Sequence, residues 1–308
     1  MAGVISPGAE AIEISSIGLL FMMTLRDQGG ISLIHPYYKD EARLNLQLDI
    51  WKDWSPDVCK YVDITVIDDG TPGGFPLSDQ IKALFHAKGI KFSLYKINVD
   101  LKWNTPGALN LGWMVAPKQW GLCMDTDCYF PSQEWERILD LKHPVNRMGF
   151  FPRKRYGNPD IEDLKNDRFL PCTMLMHRNV FMNMGGFDED FSGAKTGSWG
   201  YFDNEFCERA IRKVLWSEKA TCGIVYDGHT AEHPIPKIVA GEWMESVYGQ
   251  QGVTHAALAA NGSARQKNKL LFYDKLNGRV PQNRQILNFP WQQVYTNWFE
   301  EYQGVAQR

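Results

Sequence analysis

The chain has 308 residues, 44% of them hydrophobic, which is enough to bury a large core as one domain or as a domain with an appendage. A formal charge of −3 gives no electrostatic reason to expect nucleic acid or an anionic membrane surface as a partner. Six cysteines without a disulfide-framework rhythm point to a reducing compartment, and the apolar run 17–23 is too short to span a bilayer and lacks a signal peptide's basic flank, so a cytoplasmic protein is expected.

Residues 1–30 read as an N-terminal extension in which Ile12 to Met23 fits an added edge strand or hairpin. From Ile31 the pattern is regular. Ile31 to His35 is a short β-type run stopped by Pro36, and Lys39 to Trp54 carries Leu44, Leu48 and Trp51 at helical spacing. Tyr61 to Ile67 is rich in β-branched residues and ends on Asp68-Asp69-Gly70. Ser78 is placed to cap a helix containing Ile81, Leu84 and Phe85, with Gly89 just past its end. Ile90 to Ile97 predicts a strand, Pro106 to Ala116 a helix, and Trp120 to Met124 a strand ending at Asp125-Thr126-Asp127. Further on, Asn204 to Val214 reads as a helix and Ala220 to Tyr226 as a strand. The composition changes from Pro234, with helical stretches at Val239 to Tyr248 and Gln266 to Leu276 before Trp291, Trp298, Phe299 and Tyr302. These aromatics pack on the main domain, shape a groove, or make a homo-oligomer contact.

Strand–helix alternation of this kind predicts a mainly parallel α/β sheet with right-handed crossovers, which binds ligands beyond the carboxyl ends of its strands. His35-Pro36-Tyr37-Tyr38, Asp68-Asp69-Gly70 and Asp125-Thr126-Asp127 all fall at such ends. Alternate residues of a strand share a side, so Asp125 and Asp127 can together hold a hard divalent cation, Mn2+ or Mg2+. Each acidic pair also has a plainer reading, as a solvated turn in which Asp satisfies nearby backbone N–H groups.

The run Ile31 to Tyr38 with Glu41-Ala42-Arg43-Leu44, the strand ending Ile67-Asp68-Asp69-Gly70-Thr71, and the segment Asn104 to Gly112 resemble family 2 glycosyltransferases of the GT-A fold. So do Gly185-Gly186-Phe187-Asp188-Glu189 and Trp199-Gly200-Tyr201-Phe202-Asp203-Asn204-Glu205, in the same order, over roughly residues 31–230. The resemblance implies a GT-A, nucleotide-diphospho-sugar transferase fold spanning 31–233, with a nucleotide-binding half to about 130, an acceptor half after it, and a helical C-terminal extension over 234–308. It implies a nucleotide-diphosphate sugar, with UDP favoured, as donor, and a glycan or other hydroxyl as acceptor. His35, Pro36, Tyr38, Glu41, Asp68, Asp69, Asn104, Gly107, Asn110 and Asp125 would contact the nucleotide sugar. Asp127 and Asp125 would hold the metal, with His229 and His233 as further candidates, and Gly185, Gly186, Trp199 and Gly200 would lie on the acceptor side. Asp203 is the expected general base of an inverting reaction and Glu205 the alternative. The chain departs from the family where Phe202 replaces the usual Glu and where Ala108 stands for Arg or Lys. A catalytically degenerate sugar-nucleotide binder is therefore an alternative, and a nucleotidyltransferase a more distant one.

Overall fold

The structure is a computed structural model that describes residues 23–126, 128–130, 132–150, 153–154, 173–210, 225–226, 231–232, 262–283 and 285–297. The first half alternates regularly through β1 (Ile31–Tyr37), α1 (Glu41–Lys52), α2 (Pro56–Tyr61), β2 (Val62–Asp68), α3 (Asp79–Lys88), β3 (Lys91–Ile97), α4 (Thr105–Val115) and β4 (Trp120–Met124). Then follow α5 (Ser132–Leu139), β5 (Met148–Phe150), β6 (Arg153–Lys154), β7 (Thr173–His177), α6 (Arg178–Met184), α7 (Gly193–Thr196) and α8 (Phe202–Ala210). Short strands β8 (Val225–Tyr226) and β9 (Ala231–Glu232), helix α9 (Gly262–Leu276) and strand β10 (Trp291–Thr296) complete the order. Among the described residues no helix is long and apolar enough to cross a membrane, and the four described cysteines are free and buried.

Eight strands form one sheet in the order β10-β3-β2-β1-β4-β7-β5-β8. The central four, β3-β2-β1-β4, are parallel, as the strand–helix rhythm predicts. β2 is buried along its whole length because helices cover both faces, which is why it reads as an unbroken β-branched run. One face carries Trp51, Trp54, Phe85, Phe92 and Trp135; the other carries Trp113, Phe181, Phe187 and Phe206, with Trp113 stacked on Phe181 at 4.8 Å.

Several boundaries differ from the sequence reading for local reasons. β1 runs through Pro36 to Tyr37, because pairing with β4 ends at Ile34–Cys123 and the missing proline N–H lies beyond that ladder. The helix expected to reach Trp54 stops at Lys52; Ser55 accepts from the Val58 N–H and Pro56 opens a second helix, α2. Ser78 and Gly89 cap α3 as expected, Ser78 accepting from the Ile81 N–H and Gly89 taking φ +67°. The C-terminal segment is not helical throughout: β10 pairs antiparallel with β3 across a bulge between Gln293 and Tyr295, so Trp291 belongs to the sheet edge. The reading at Ile12 to Met23, in all but its last residue, and those at Asp127, His229, His233, Val239 to Tyr248, Trp298, Phe299 and Tyr302 lie outside the described residues.

One buried base makes stability pH-dependent. His143 is 2% exposed; its Nδ1–H donates to Pro144 O at 3.1 Å, and Nε2 has no partner among the described residues. Burial pulls its pKa down from 6.5 to about 4. Between those values the unfolded chain takes up a proton that the folded chain refuses. Stability is therefore expected to fall by about 1.4 kcal/mol per pH unit, roughly 3 kcal/mol in all, as the pH drops through that window. Urea unfolding of wild type and His143→Leu from pH 7 to pH 4 checks this; the variant is expected to lose that part of the slope.

Candidate active site

In the order β3-β2-β1-β4 the winding direction reverses between β1 and β4, and open α/β sheets bind ligands in the crevice beyond such a reversal. Here the crevice is built in, because β1 and β4 separate past Ile34 and Cys123 while each strand continues.

The β1 and β2 ends form one wall. Tyr38 donates its hydroxyl to Asp100 Oδ1 at 3.0 Å, and Lys39 Nζ lies 4.6 Å from the Tyr38 ring centroid and 3.7 Å from Asp100. Asp68 accepts from the Thr71 N–H at 2.8 Å, which is the turn-closing role open to either aspartate of the pair. Asp69 instead faces α4: its Oδ1 accepts from Asn104 Nδ2 at 3.2 Å, and its own N–H donates to Tyr37 O. Burial holds the Asp69 carboxyl well above the usual carboxylate range; the Asn104 contact opposes this, and nearby Asp68 and Asp100 reinforce it. Gly107 is required where it stands, since a Cβ would lie 2.5 Å from Asn104 Oδ1 and 2.7 Å from the Phe289 ring. Asp68, Asp69, Asn104 and Gly107, expected on the nucleotide side, are thus brought together, with Tyr38 joined to them through Asp100. His35 is not. It is buried against Trp51, ring centroids 5.7 Å apart, and Glu41 is exposed in the first turn of α1.

At the β4 end, Asp125 is partly exposed and its carbonyl accepts from the Cys128 N–H at 3.0 Å. The turn is gripped by Gln47, 1% exposed, whose Nε2 donates to Thr126 O at 3.0 Å and to Cys128 O at 2.6 Å. Sequence reasoning missed Gln47. The available signal was a polar residue on the face of α1 that carries Leu44, Leu48 and Trp51. Among the described residues no group of three or more His, Cys, Asp or Glu converges on a cation position.

The loop after α6 packs on α4, and α8 packs on α6. Asn110, 0% exposed, donates to Phe187 O and Glu189 Oε1, both at 2.9 Å, and accepts from the Phe187 N–H at 2.7 Å. Its amide is spent as a strut between α4 and this loop, which leaves no donor for a nucleotide sugar. Gly185 and Gly186 take φ +79° and +72°, and a Cβ on Gly186 would lie 2.8 Å from Asn110 Oδ1. Trp199 is half-buried, and Gly200 O accepts from Asn268 of α9 at 2.9 Å.

Helix α8 begins at Phe202, so Asp203 lies inside its first turn and is not its cap. Asp203 is partly exposed, and its Oδ1 accepts from the Asn204 N–H at 2.9 Å. Glu205 is held differently. It is 7% exposed and clasped by Arg209 at 2.7 and 2.8 Å, and Arg209 also donates to Gly186 O and Met184 O. Phe202 packs edge-on against Phe187 at 5.6 Å, so a core contact occupies the position where the resemblance would place a carboxylate.

Backbone strain falls mainly at helix starts. The described non-glycine residues with positive φ are Lys39 (+48°), Trp103 (+47°), Tyr201 (+68°) and Leu287 (+60°). The first three precede α1, α4 and α8, and Leu287 donates its N–H to Glu189 Oε1 at 2.8 Å. Such conformations cost about 1–3 kcal/mol each and persist where the surroundings over-determine them, which is common at ligand sites.

No family model and no curated protein matches the chain. Among solved structures it is similar to S. aureus TarS, at 15% identity and a TM-score of 0.45, over 66% of this chain and 57% of that one. It is also similar to the mannosyltransferase PcManGT from Pyrobaculum calidifontis in complex with GDP-Man and Mn2+, at 13% identity and a TM-score of 0.47, over 89% of this chain and 78% of that one. The chain spans a little over half the length of the TarS structure.

Proposed function

We propose that the chain is a GT-A glycosyltransferase that moves a sugar from a nucleotide diphosphate, UDP favoured, to a hydroxyl of a glycan or other acceptor, with divalent metal and with inversion. The observation that supports this reading is the buried Asp69–Asn104 pair where β2 and α4 meet beside the β1/β4 reversal. Asp68 or Asp69 accepts from the base N–H, each having spent one oxygen on a neighbour, the Thr71 N–H and the Asn104 amide respectively, and Pro36 and Tyr38 flank the base. Asp125 and Asp127 would hold the Mn2+ or Mg2+, with His229 and His233 as further candidates. When bound, that cation neutralises charge on the diphosphate leaving group.

In the transfer step the acceptor oxygen attacks the anomeric carbon on the face opposite the diphosphate. The bond to the diphosphate oxygen breaks, its electron pair leaves with that oxygen, and Asp203 takes the acceptor proton. Asp203 suits this role better than Glu205, because a base must reach substrate and Glu205 is locked to Arg209. Phe202 favours one second reading, a domain that binds the nucleotide sugar without turnover.

Thermal unfolding with UDP, GDP and dTDP, each with Mn2+ and again with chelator, tests the binding half. A nucleotide at about a hundred times its Kd adds roughly 2.7 kcal/mol, enough to raise the midpoint by several degrees. A metal-dependent rise with one nucleotide is expected, and folded protein that responds to none would refute both readings. Turnover of the matching nucleotide sugar then separates enzyme from binder.

A further inference from the structure

Helix α9 lies on the molecule's surface with Gln266, Lys267, Lys269, Leu270 and Tyr273 exposed, yet it buries one amide completely. Asn268 is 0% exposed, and its Nδ2 donates to Phe191 O and to Gly200 O, both at 2.9 Å. Both N–H bonds of one amide are therefore spent on carbonyls nine positions apart, and they bracket the acceptor-side loop between them. Immediately after Gly200 the chain passes through Tyr201 at φ +68°, whose ring lies 5.7 Å from Phe272 one turn further along α9. The Tyr201 carbonyl then accepts from the Glu205 N–H at 2.9 Å, the bond that starts α8.

An unbroken series of contacts thus runs from Asn268 through the Gly200 carbonyl and the strained Tyr201 to the helical turn that carries Asp203. A left-handed tyrosine costs about 1–2 kcal/mol and relaxes unless it is held. Asn268 and Phe272 hold it from the same helix.

We propose that Asn268 is a positioning residue for the transfer step: from outside the crevice, it fixes the direction in which Asp203 points. This rests on the reading of Asp203 as the base. Asn268 touches no substrate, so its loss should leave donor binding intact and degrade the geometry of proton removal.

The test uses the full chain with Asn268→Asp, which keeps the shape but removes both donors, and Asn268→Ala. Nucleotide affinity is read by melting shift, and kcat, donor KM and the pH profile by turnover. The expected result is an unchanged nucleotide shift and donor KM, with kcat lower by about 10²-fold, the cost of misplacing a catalytic group by around an ångström. Asn268→Ser retains one small donor and covers the case in which the other two do not fold; an intermediate kcat is expected for it. Variants that melt lower but keep the wild-type kcat per folded molecule would overturn the proposal and leave Asn268 a structural residue. Wild-type protein that binds no nucleotide would instead sink the glycosyltransferase reading itself, so the two failures are distinguishable.

Discussion

Replacing Asp203 with asparagine is expected to slow transfer by about 10²–10⁴-fold, the usual contribution of a general base, with the melting temperature and nucleotide response close to wild type. The split follows from how the carboxylate is held. Asp203 is partly exposed and accepts from the neighbouring Asn204 N–H, a bond that an asparagine oxygen can replace. Glu205→Gln is the contrasting variant. It weakens a clasp in which Arg209 ties α8 to Gly186 O and Met184 O, so its main effect is expected on stability. Steady-state kinetics and melting curves of the two variants, taken together, check the assignment. An Asp203→Asn protein with wild-type kcat would remove Asp203 from the mechanism.

Lys275→Met is expected to destabilise the fold by about 3–5 kcal/mol, as loss of one member of a buried ion pair does when the opposite charge is left behind. The Lys275 side chain is 3% exposed; its Nζ lies 2.8 Å from Asp188 Oδ2, 2.9 Å from Asp190 Oδ2 and 2.8 Å from Pro281 O. Asp188 is 0% exposed, and it also accepts from the Asp190 and Asn283 N–H groups. Without the ammonium its carboxylate keeps backbone donors but no neutralising charge. Adding Asp188→Asn to Lys275→Met should recover part of the loss, and a double-mutant cycle in urea measures how much. Additive losses would show that the two groups do not act as a pair.

The four parallel strands were legible because each announces itself locally. Val62 to Ile67 is a β-branched run, Ser78 and Gly89 carry their caps in their own side chain and backbone freedom, and the acidic residues stand where the runs stop. The antiparallel strands were harder to see. β5 is three residues long, and β10 exposes Trp291, Gln292, Gln293 and Val294, so no alternation of apolar and polar residues marks it. The site divides in the same way. Asp68 and Asp69 stood out by their place at a strand end and Asn104 and Gly107 by the family resemblance, whereas Gln47, Lys275 and Asn268 are polar residues on helices whose burial depends on loops far away in sequence. Asn110 and Glu205 illustrate the converse. Residue type made them candidates for substrate contact, and only their surroundings show that their polar groups are already committed.

The pairing of β10 with β3 also sets an order of events during folding. Asn297 accepts from the Phe92 N–H and donates to Ile90 O across 205 and 207 positions of sequence, whereas β1 to β4 find one another within a single contiguous stretch. Distant pairings carry a large loop-closure entropy and form late. On the ribosome, β1 to β4 can therefore assemble while β3 still presents a bare row of backbone donors and acceptors, an invitation to pair with another nascent chain. Of the described strands, the last to be synthesised is the one that closes this edge. Damage to β10 should then show first as poor yield and aggregation at expression, even where the protein that does fold is nearly intact.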